Sequence, residues 1–277
     1  MLQKLSKLFQ VTFKIVAILL VIGLWSTASY FVIWTILDET EEEDCNVYGI
    51  NIHGDIVTYH SNEAYNDSGN LVWDQTSADD VIFSVQNAEA DEAVKAIIVE
   101  IDSAGGSPVG GEEMMLALKQ AKKPVVAFIR DLGASSGYLA SVGADTIFAS
   151  KFSDVGSIGV TRSYLQETEK NTKDGLTYID LSSGKFKDSG SPNRELSAEE
   201  KEIFMRDIKI THEHFVNLVA ENRKLDLAKV RKLADGSTLT GESAKKEGLI
   251  DEIGTYSDVK EFLAKKLGEP VSVCWQN

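Results

Sequence analysis

From Ile15 to Leu37 the chain runs twenty-three residues without a charge, whereas from Val47 onward apolar residues come in short bursts broken by Gly, Pro and Asp. The first pattern is long enough to cross a bilayer as one helix. The second predicts alternating strands and helices. Val47 to Ile52, Ala96 to Ile101 and Pro124 to Ile129 are short, rich in β-branched residues, and read as strands. Between them, Ser77 to Ala90 and Gly111 to Ala121 carry helical apolar spacing, the first opened by Ser77 and Asp80 in a capping-box-like start. Ser197 to Arg223 predicts a long amphipathic helix with Glu199 and Glu200 in its first turn, followed by shorter helices over Asp226 to Leu233 and Ser257 to Leu267. This alternation implies an α/β fold with a mainly parallel sheet and crossover helices.

Charge gives the apolar run a direction. Lys4, Lys7 and Lys14 precede it, while Asp38, Glu39, Glu41, Glu42, Glu43 and Asp44 follow it, so the amino terminus is expected in the cytoplasm and everything after residue 38 outside. A cleavable signal peptide has an apolar region of roughly 7–15 residues. This run is longer, although Ser26 to Ser29 offers small residues where a peptidase could cut. The expected organisation is a cytoplasmic basic tail over 1–14, a transmembrane anchor over 15–37, an acidic tether over 38–45 and one exported domain over 46–277, with no internal repeat or Pro- or Gly-rich linker.

Composition narrows the function classes. The 277 residues carry 28 Lys and Arg against 43 Asp and Glu, a net charge of −15, which argues against a nucleic-acid reader and its basic face. Beyond the anchor the balance is more acidic still, so the domain is repelled by an anionic membrane surface rather than drawn onto it. The two cysteines, Cys45 and Cys274, are too few for a disulfide framework and too far apart for a zinc motif. One bridge or two free thiols are equally open.

Four segments could carry chemistry. Asp102 to Ser107 follows a strand and contains the pair Gly105-Gly106, whose backbone N–H groups can face outward to hold an oxyanion or a phosphate, or simply make a tight turn. It lacks the Lys of a P-loop and the third glycine of a dinucleotide fingerprint. Gly133 to Tyr138 places Ser135 between an apolar strand and a small-residue helix over Leu139 to Gly143, and fits the G-x-S-x-G pattern of a nucleophile elbow. In Val155 to Val160, Ser157 sits between two glycines, at what reads on its own as a strand edge. Ser183 to Ser189 is a loop with Lys185 and Lys187, which in isolation are solvated lysines. Of the histidines, His53 and His60 lie in the first strand region, and His212 and His214 stand two apart on the long helix, facing different sides. A pair two apart on a helix is a poor metal site, and none of the four lies in a Gly/Asp loop where a triad histidine is expected.

Taken in order, the strings IDSAGGS at 101–107, ASSGYLAS at 134–141, VGSIGV at 155–160, SGKFKDSGSPNREL at 183–196 and DGSTLTGESAKKEGLIDEIG at 235–254 resemble the signal peptide peptidase SppA family of membrane-anchored serine peptidases. The resemblance spans residues 47 to 265 and matches the family's short form. It implies a crotonase-like, Clp-protease-like α/β domain behind one amino-terminal transmembrane helix, with a serine nucleophile and a lysine base. Carried over by motif, the nucleophile is Ser135, the base Lys187 with Lys185 the near miss, and Ser157 the serine that orients the lysine amine. Gly106, with Gly105 beside it, matches the oxyanion-hole glycine, the Ser136 N–H being a second donor. No metal, nucleotide or organic cofactor is implied. The implied partners are peptide substrates, above all residual signal peptides, together with the membrane and further copies of the chain. Short-form members assemble into dome-shaped oligomers whose dyads meet across subunit boundaries. Two positions depart from the pattern: Ala104 stands where the family has Pro, and Ser136 where it has Gly.

A lysine base must be neutral, yet its reference pKa is about 10.4, so bringing it to about 7 requires roughly 4–5 kcal/mol of differential penalty, which burial in a dry pocket can supply. A subunit interface could provide that burial for the exposed-looking loop around Lys187. By the same reasoning Asp188 should not pair with Lys187. Two alternatives stand beside the dyad: an α/β-hydrolase-type esterase using Ser135 with His212 or His214, and a catalytically decayed, membrane-tethered scaffold of the same fold.

Overall fold

The computed structural model describes residues 45–60 and 74–276. The expected basic tail, transmembrane anchor and nearly all of the acidic tether lie outside the described residues. Among the described residues, no helix is long and apolar enough to cross a membrane.

The strands follow the β-branched runs but reach further. β1 spans Val47–Val57, β2 Gln75–Ser77, β3 Ala96–Gly106, β4 Val125–Ala134, β5 Thr146–Ala149, β6 Asp154–Gly156, β7 Thr238–Thr240, β8 Glu252–Ile253 and β9 Val273–Trp275. They form one sheet in the order β2-β1-β3-β4-β5-β8, every neighbouring pair parallel. β9 also pairs with β1 and β6 with β4 in parallel, and only β7, against β6, runs antiparallel. The glycine pair expected in a loop is the end of β3, with Gly106 beside Ile56 of β1. A Cβ on Gly106 would sit 2.3 Å from the Ile56 carbonyl oxygen, so only glycine lets the two backbones close up there.

Helices α1 (Ala78–Ala90) and α2 (Pro108–Gln120) begin where their caps dictate. The Ser77 hydroxyl accepts from Asp80 N–H and the Ser107 hydroxyl from Gly110 N–H, each meeting an otherwise orphaned donor. Ser107 followed by Pro108 at the first helical position starts α2 three residues before the expected Gly111. The remaining helices are α3 (Ser136–Ser141), α4 (Thr168–Lys173), α5 (Ala198–Arg223), α6 (Leu227–Leu233), α7 (Gly241–Glu247) and α8 (Tyr256–Leu267). α5 carries a full capping box between Ser197 and Glu200.

Alternation along the strands divides the core between two layers. Ile97, Val99 and Ile101 face a cluster with Val81 of α1, Met115 of α2, Leu139 of α3 and Val219 of α5, while Ala96 and Ile98 face Val259 and Leu263 of α8. Tyr138 is fully buried and donates its hydroxyl to the Leu249 carbonyl at 2.8 Å, pinning α3 to the carboxy-terminal part of the chain. Burial pushes its phenol well above the ordinary tyrosine range, against the nearby charge of Arg223. The two cysteines form a disulfide that ties Cys45, two residues before β1, to Cys274 of β9 across 229 positions.

Candidate active site

β4 ends at Ala134, α3 begins at Ser136, and Ser135 is the whole turn between them. Its backbone sits at φ 52° and ψ −123°, a combination rarely adopted by any residue but glycine. The surroundings hold it there: Ser135 N–H donates to the Gly156 carbonyl at 2.8 Å, and its own carbonyl accepts from Leu139 N–H at 2.9 Å. Relieving this strain without keeping the hydroxyl is the simplest check on it. The Ser135→Gly variant is expected to be more stable than Ser135→Ala by about 1 kcal/mol in urea unfolding; equal stability would mean the turn is unstrained.

Beside Ser135 lies the end of β3. Gly105 has φ 105°, and a Cβ there would lie 2.8 Å from the Ser135 Cβ and 2.9 Å from the Ser136 nitrogen. Its N–H donates to Ser103 Oγ at 3.0 Å, and the Ser103 hydroxyl in turn donates to the Gly54 carbonyl at 2.6 Å. Gly105 therefore serves the site by leaving room, its N–H being already engaged. Ser136 is buried, and its hydroxyl donates to the Gly106 carbonyl at 3.3 Å. Its hydroxymethyl packs where Gly111 of α2 lacks a side chain, since a Cβ on Gly111 would sit 2.8 Å from Ser136 Cβ. The departure at position 136 is thus accommodated by a glycine on the neighbouring helix.

These residues open into a cavity of about 750 Å³. Gly106, Ser135 and Ser136 line it together with Ala104 and Leu139, and α5 supplies the facing wall through Thr211, Phe215 and Leu218. Ser157 also lines the cavity, at φ 48°, donating its hydroxyl to the Gly236 carbonyl at 3.0 Å while its N–H reaches the Ser237 carbonyl at 3.0 Å. Four of the predicted residues, Ser135, Ser136, Gly106 and Ser157, therefore meet at one place.

His212 and His214 line this cavity too, which sequence spacing did not anticipate. They do point to different sides of α5, but the cavity wall is the stripe Thr211, Phe215 and Leu218 between them, so each stands at one margin of it. His212 Nε2 faces the Ala234 carbonyl at 3.0 Å and His214 Nε2 faces Glu112 Oε1 at 2.8 Å. Neither is hydrogen-bonded to Ser135. Asp235, at the rim, is held below the usual carboxylate range by the hydroxyl and N–H of Ser237. Among the described residues there is no cluster of His, Cys, Asp and Glu able to hold a metal ion.

Lys187 is not part of this cavity. It is exposed, in a run of turns over residues 185–190, within the long segment between β6 and α5. That segment also exposes Leu165, Leu176, Ile179 and Leu181, each more than 60% accessible, an apolar surface out of keeping with a solvated loop. Lys185 pairs with Glu199 of α5, and Asp188 pairs with Arg194 rather than with Lys187.

The chain as a whole resembles known proteins. Residues 117–269 match Peptidase family S49. The chain is 38% identical over 211 residues to "Putative protease MJ0651" of Methanocaldococcus jannaschii, a match covering 74% of this chain and 68% of that protein. It is 33% identical over 196 residues to "Putative signal peptide peptidase SppA" of Enterococcus faecium, covering 70% of this chain and 57% of that one. It is 31% identical over 212 residues to "Protease 4" of Salmonella typhi, of which it spans only 33%. Among solved structures, a mutant of the 1510-N membrane-bound stomatin-specific protease shares the fold, with a TM-score of 0.51 at 19% identity over 83% of this chain and 97% of that one. With more than half of its length matched by the family and its motifs in order, the chain belongs to Peptidase family S49, among the signal peptide peptidases of the SppA type.

Proposed function

We propose that the chain is a membrane-anchored serine endopeptidase with Ser135 as nucleophile and Lys187 as general base, acting on cleaved signal peptides and other extended apolar peptides. The observation that carries this reading is the strained turn that presents Ser135 into a cavity beside the end of β3 and the start of α3. Neutral Lys187 takes the Ser135 hydroxyl proton, and the alkoxide attacks a peptide carbonyl. Backbone N–H groups of Gly106 and Ser136 receive the oxyanion. The lysine ammonium then protonates the leaving amine, and water hydrolyses the acyl-enzyme. Ser157, with its proton committed to Gly236, keeps lone pairs with which to orient the lysine amine.

The exposure of Lys187 favours a dyad completed between copies of the chain. A neighbouring copy would cover the apolar segment around Leu165 and Leu181 and remove water from the lysine. The direct test is complementation. Ser135→Ala and Lys187→Ala chains, each inactive alone, are expected to regain peptide cleavage when co-assembled; a mixture as inactive as its parts would place serine and lysine on one copy.

Residues 15–37 serve as the anchor in this reading, with the catalytic domain outside the cytoplasmic membrane. The Cys45–Cys274 disulfide supports that side, because such bridges persist in oxidising compartments. The presence of His212 and His214 on the cavity wall gives one rival a foothold, a Ser-His esterase. It requires one of these rings to leave its present partner and reach Ser135, and it predicts that the double histidine variant loses activity while Lys187→Ala keeps it.

A further inference from the structure

The turn carrying Lys187 is closed by its own backbone, Lys187 N–H donating to the Gly184 carbonyl at 3.0 Å and Ser189 N–H to the Phe186 carbonyl at 3.3 Å, and the residue after the lysine ties that turn to the rest of the domain. Arg194 donates from Nε to Asp188 Oδ2 at 3.3 Å and from Nη2 to the Asp188 backbone carbonyl at 2.9 Å. The same guanidinium grips Glu200, with Nη1 on Oε2 at 3.0 Å and Nη2 on Oε1, and reaches the Glu195 carbonyl at 3.2 Å. Glu200 has a side chain only 2% accessible and accepts from Ser197 N–H at 2.8 Å as the capping residue of α5. α5 is also the helix whose Thr211, Phe215 and Leu218 wall the Ser135 cavity. A continuous path thus runs from the peptide adjoining Lys187, through Arg194, to the rigid element that borders the nucleophile.

We propose that Arg194 is a positioning residue for the general base, registering the Lys187 turn against α5 and holding the Asp188 carboxylate away from the lysine amine. This rests on Lys187 being the base. The planar fork of arginine suits the task, since it binds the Glu200 carboxylate through two nitrogens while a further edge serves Asp188. Charge acts in the same direction. Asp188, left unpaired one residue from Lys187, would favour the ammonium form, whereas paired with a guanidinium it does so less. Of the other charged groups of this corner, Lys185 and Glu199 pair with each other, and Glu195, next to Arg194, is exposed. Hydrogen bonding to Arg194 first, then to the Ser197 N–H, holds the Glu200 carboxyl far below its ordinary range despite its burial, so the anchor stays ionised at any working pH.

The test uses the full-length, detergent-solubilised chain and a fluorogenic apolar peptide, with kcat and KM followed against pH. Arg194→Gln is expected to lose roughly 10²-fold in kcat with little change in KM, as for a misplaced catalytic group. The rise of its activity with pH should move to higher pH. Adding Asp188→Asn to Arg194→Gln should return that rise toward its original pH while leaving kcat low, separating the charge from the placement. A wild-type rate and pH profile in Arg194→Gln, with Lys187→Ala inactive, overturns the proposal alone. So does a loss in Arg194→Gln that follows unfolding with no shift of the profile. Full turnover in Lys187→Ala overturns the assignment of the base and this proposal with it. Should Arg194→Gln fail to fold, Asp188→Asn keeps the Glu200 fork and is expected to move the rise to lower pH; an unmoved rise counts against the proposal.

Discussion

Ser135→Ala is expected to lower turnover of an extended apolar peptide by about 10⁴–10⁶-fold, and Lys187→Ala by a similar factor, whereas a His212→Ala/His214→Ala double variant keeps most of its activity. A nucleophile and its base act as one unit, so the Ser135→Ala/Lys187→Ala pair should be no worse than either single change. What remains in each case is the catalysis that binding and the oxyanion donors supply without a nucleophile. The cavity makes the comparison sharp, because Ser135 and both histidines line it and Lys187 does not. Loss in the histidine variant with retention in Lys187→Ala would reverse the assignment and favour the esterase. Full activity in Ser135→Ala would remove the serine mechanism altogether.

The second large effect is on stability. Reducing the Cys45–Cys274 bond, or replacing both cysteines by serine, is expected to destabilise the domain by about 4 kcal/mol, because the bond closes a loop of 229 positions and long loops lose the most unfolded-state entropy on crosslinking. For a domain of this size that corresponds to roughly 10 °C in the thermal midpoint. The effect should be confined to stability, since the bond joins the start of β1 to β9 and the cavity lies at the other ends of β3 and β4. A midpoint that does not move with reductant would show that the strands at that edge hold without help.

Much of this architecture was legible because it is local. The β-branched runs at Val47, Ala96 and Val125 and the caps at Ser77 and Ser197 carry their own signals, and the corresponding elements begin within a residue or two of the expected positions. The two- and three-residue strands β2, β6, β7, β8 and β9 have no such signal. They exist because a distant strand lies alongside, as Gly156 does with Thr238 and Gly49 with Trp275. The continuation of β3 through Gly105 and Gly106 was hidden for a related reason: glycine reads as a break, yet here it permits Ile56 to approach. The elbow at Ser135 was readable from the spacing of Gly133, Ser135 and Gly137. That α5 would wall the cavity, bringing His212 and His214 to its margins, depends on how that helix docks and is not written in its periodicity. The pairing of Cys45 with Cys274 was likewise open until β9 was seen beside β1.

That pairing has a mechanical consequence. A pull on the chain ahead of Cys45 enters the domain at two places at once, through β1 and, by way of the covalent bond, through β9. The two strands run parallel in contact, Val47 against Val273 and Gly49 against Trp275, and β1 is flanked on its other side by β3. Force along the strand axis is then met by several hydrogen bonds loaded together in shear, rather than by one bond after another being peeled from an edge. The strand at the carboxy terminus thereby shares any load applied ahead of Cys45, and that load passes into β1 and β3 within the sheet.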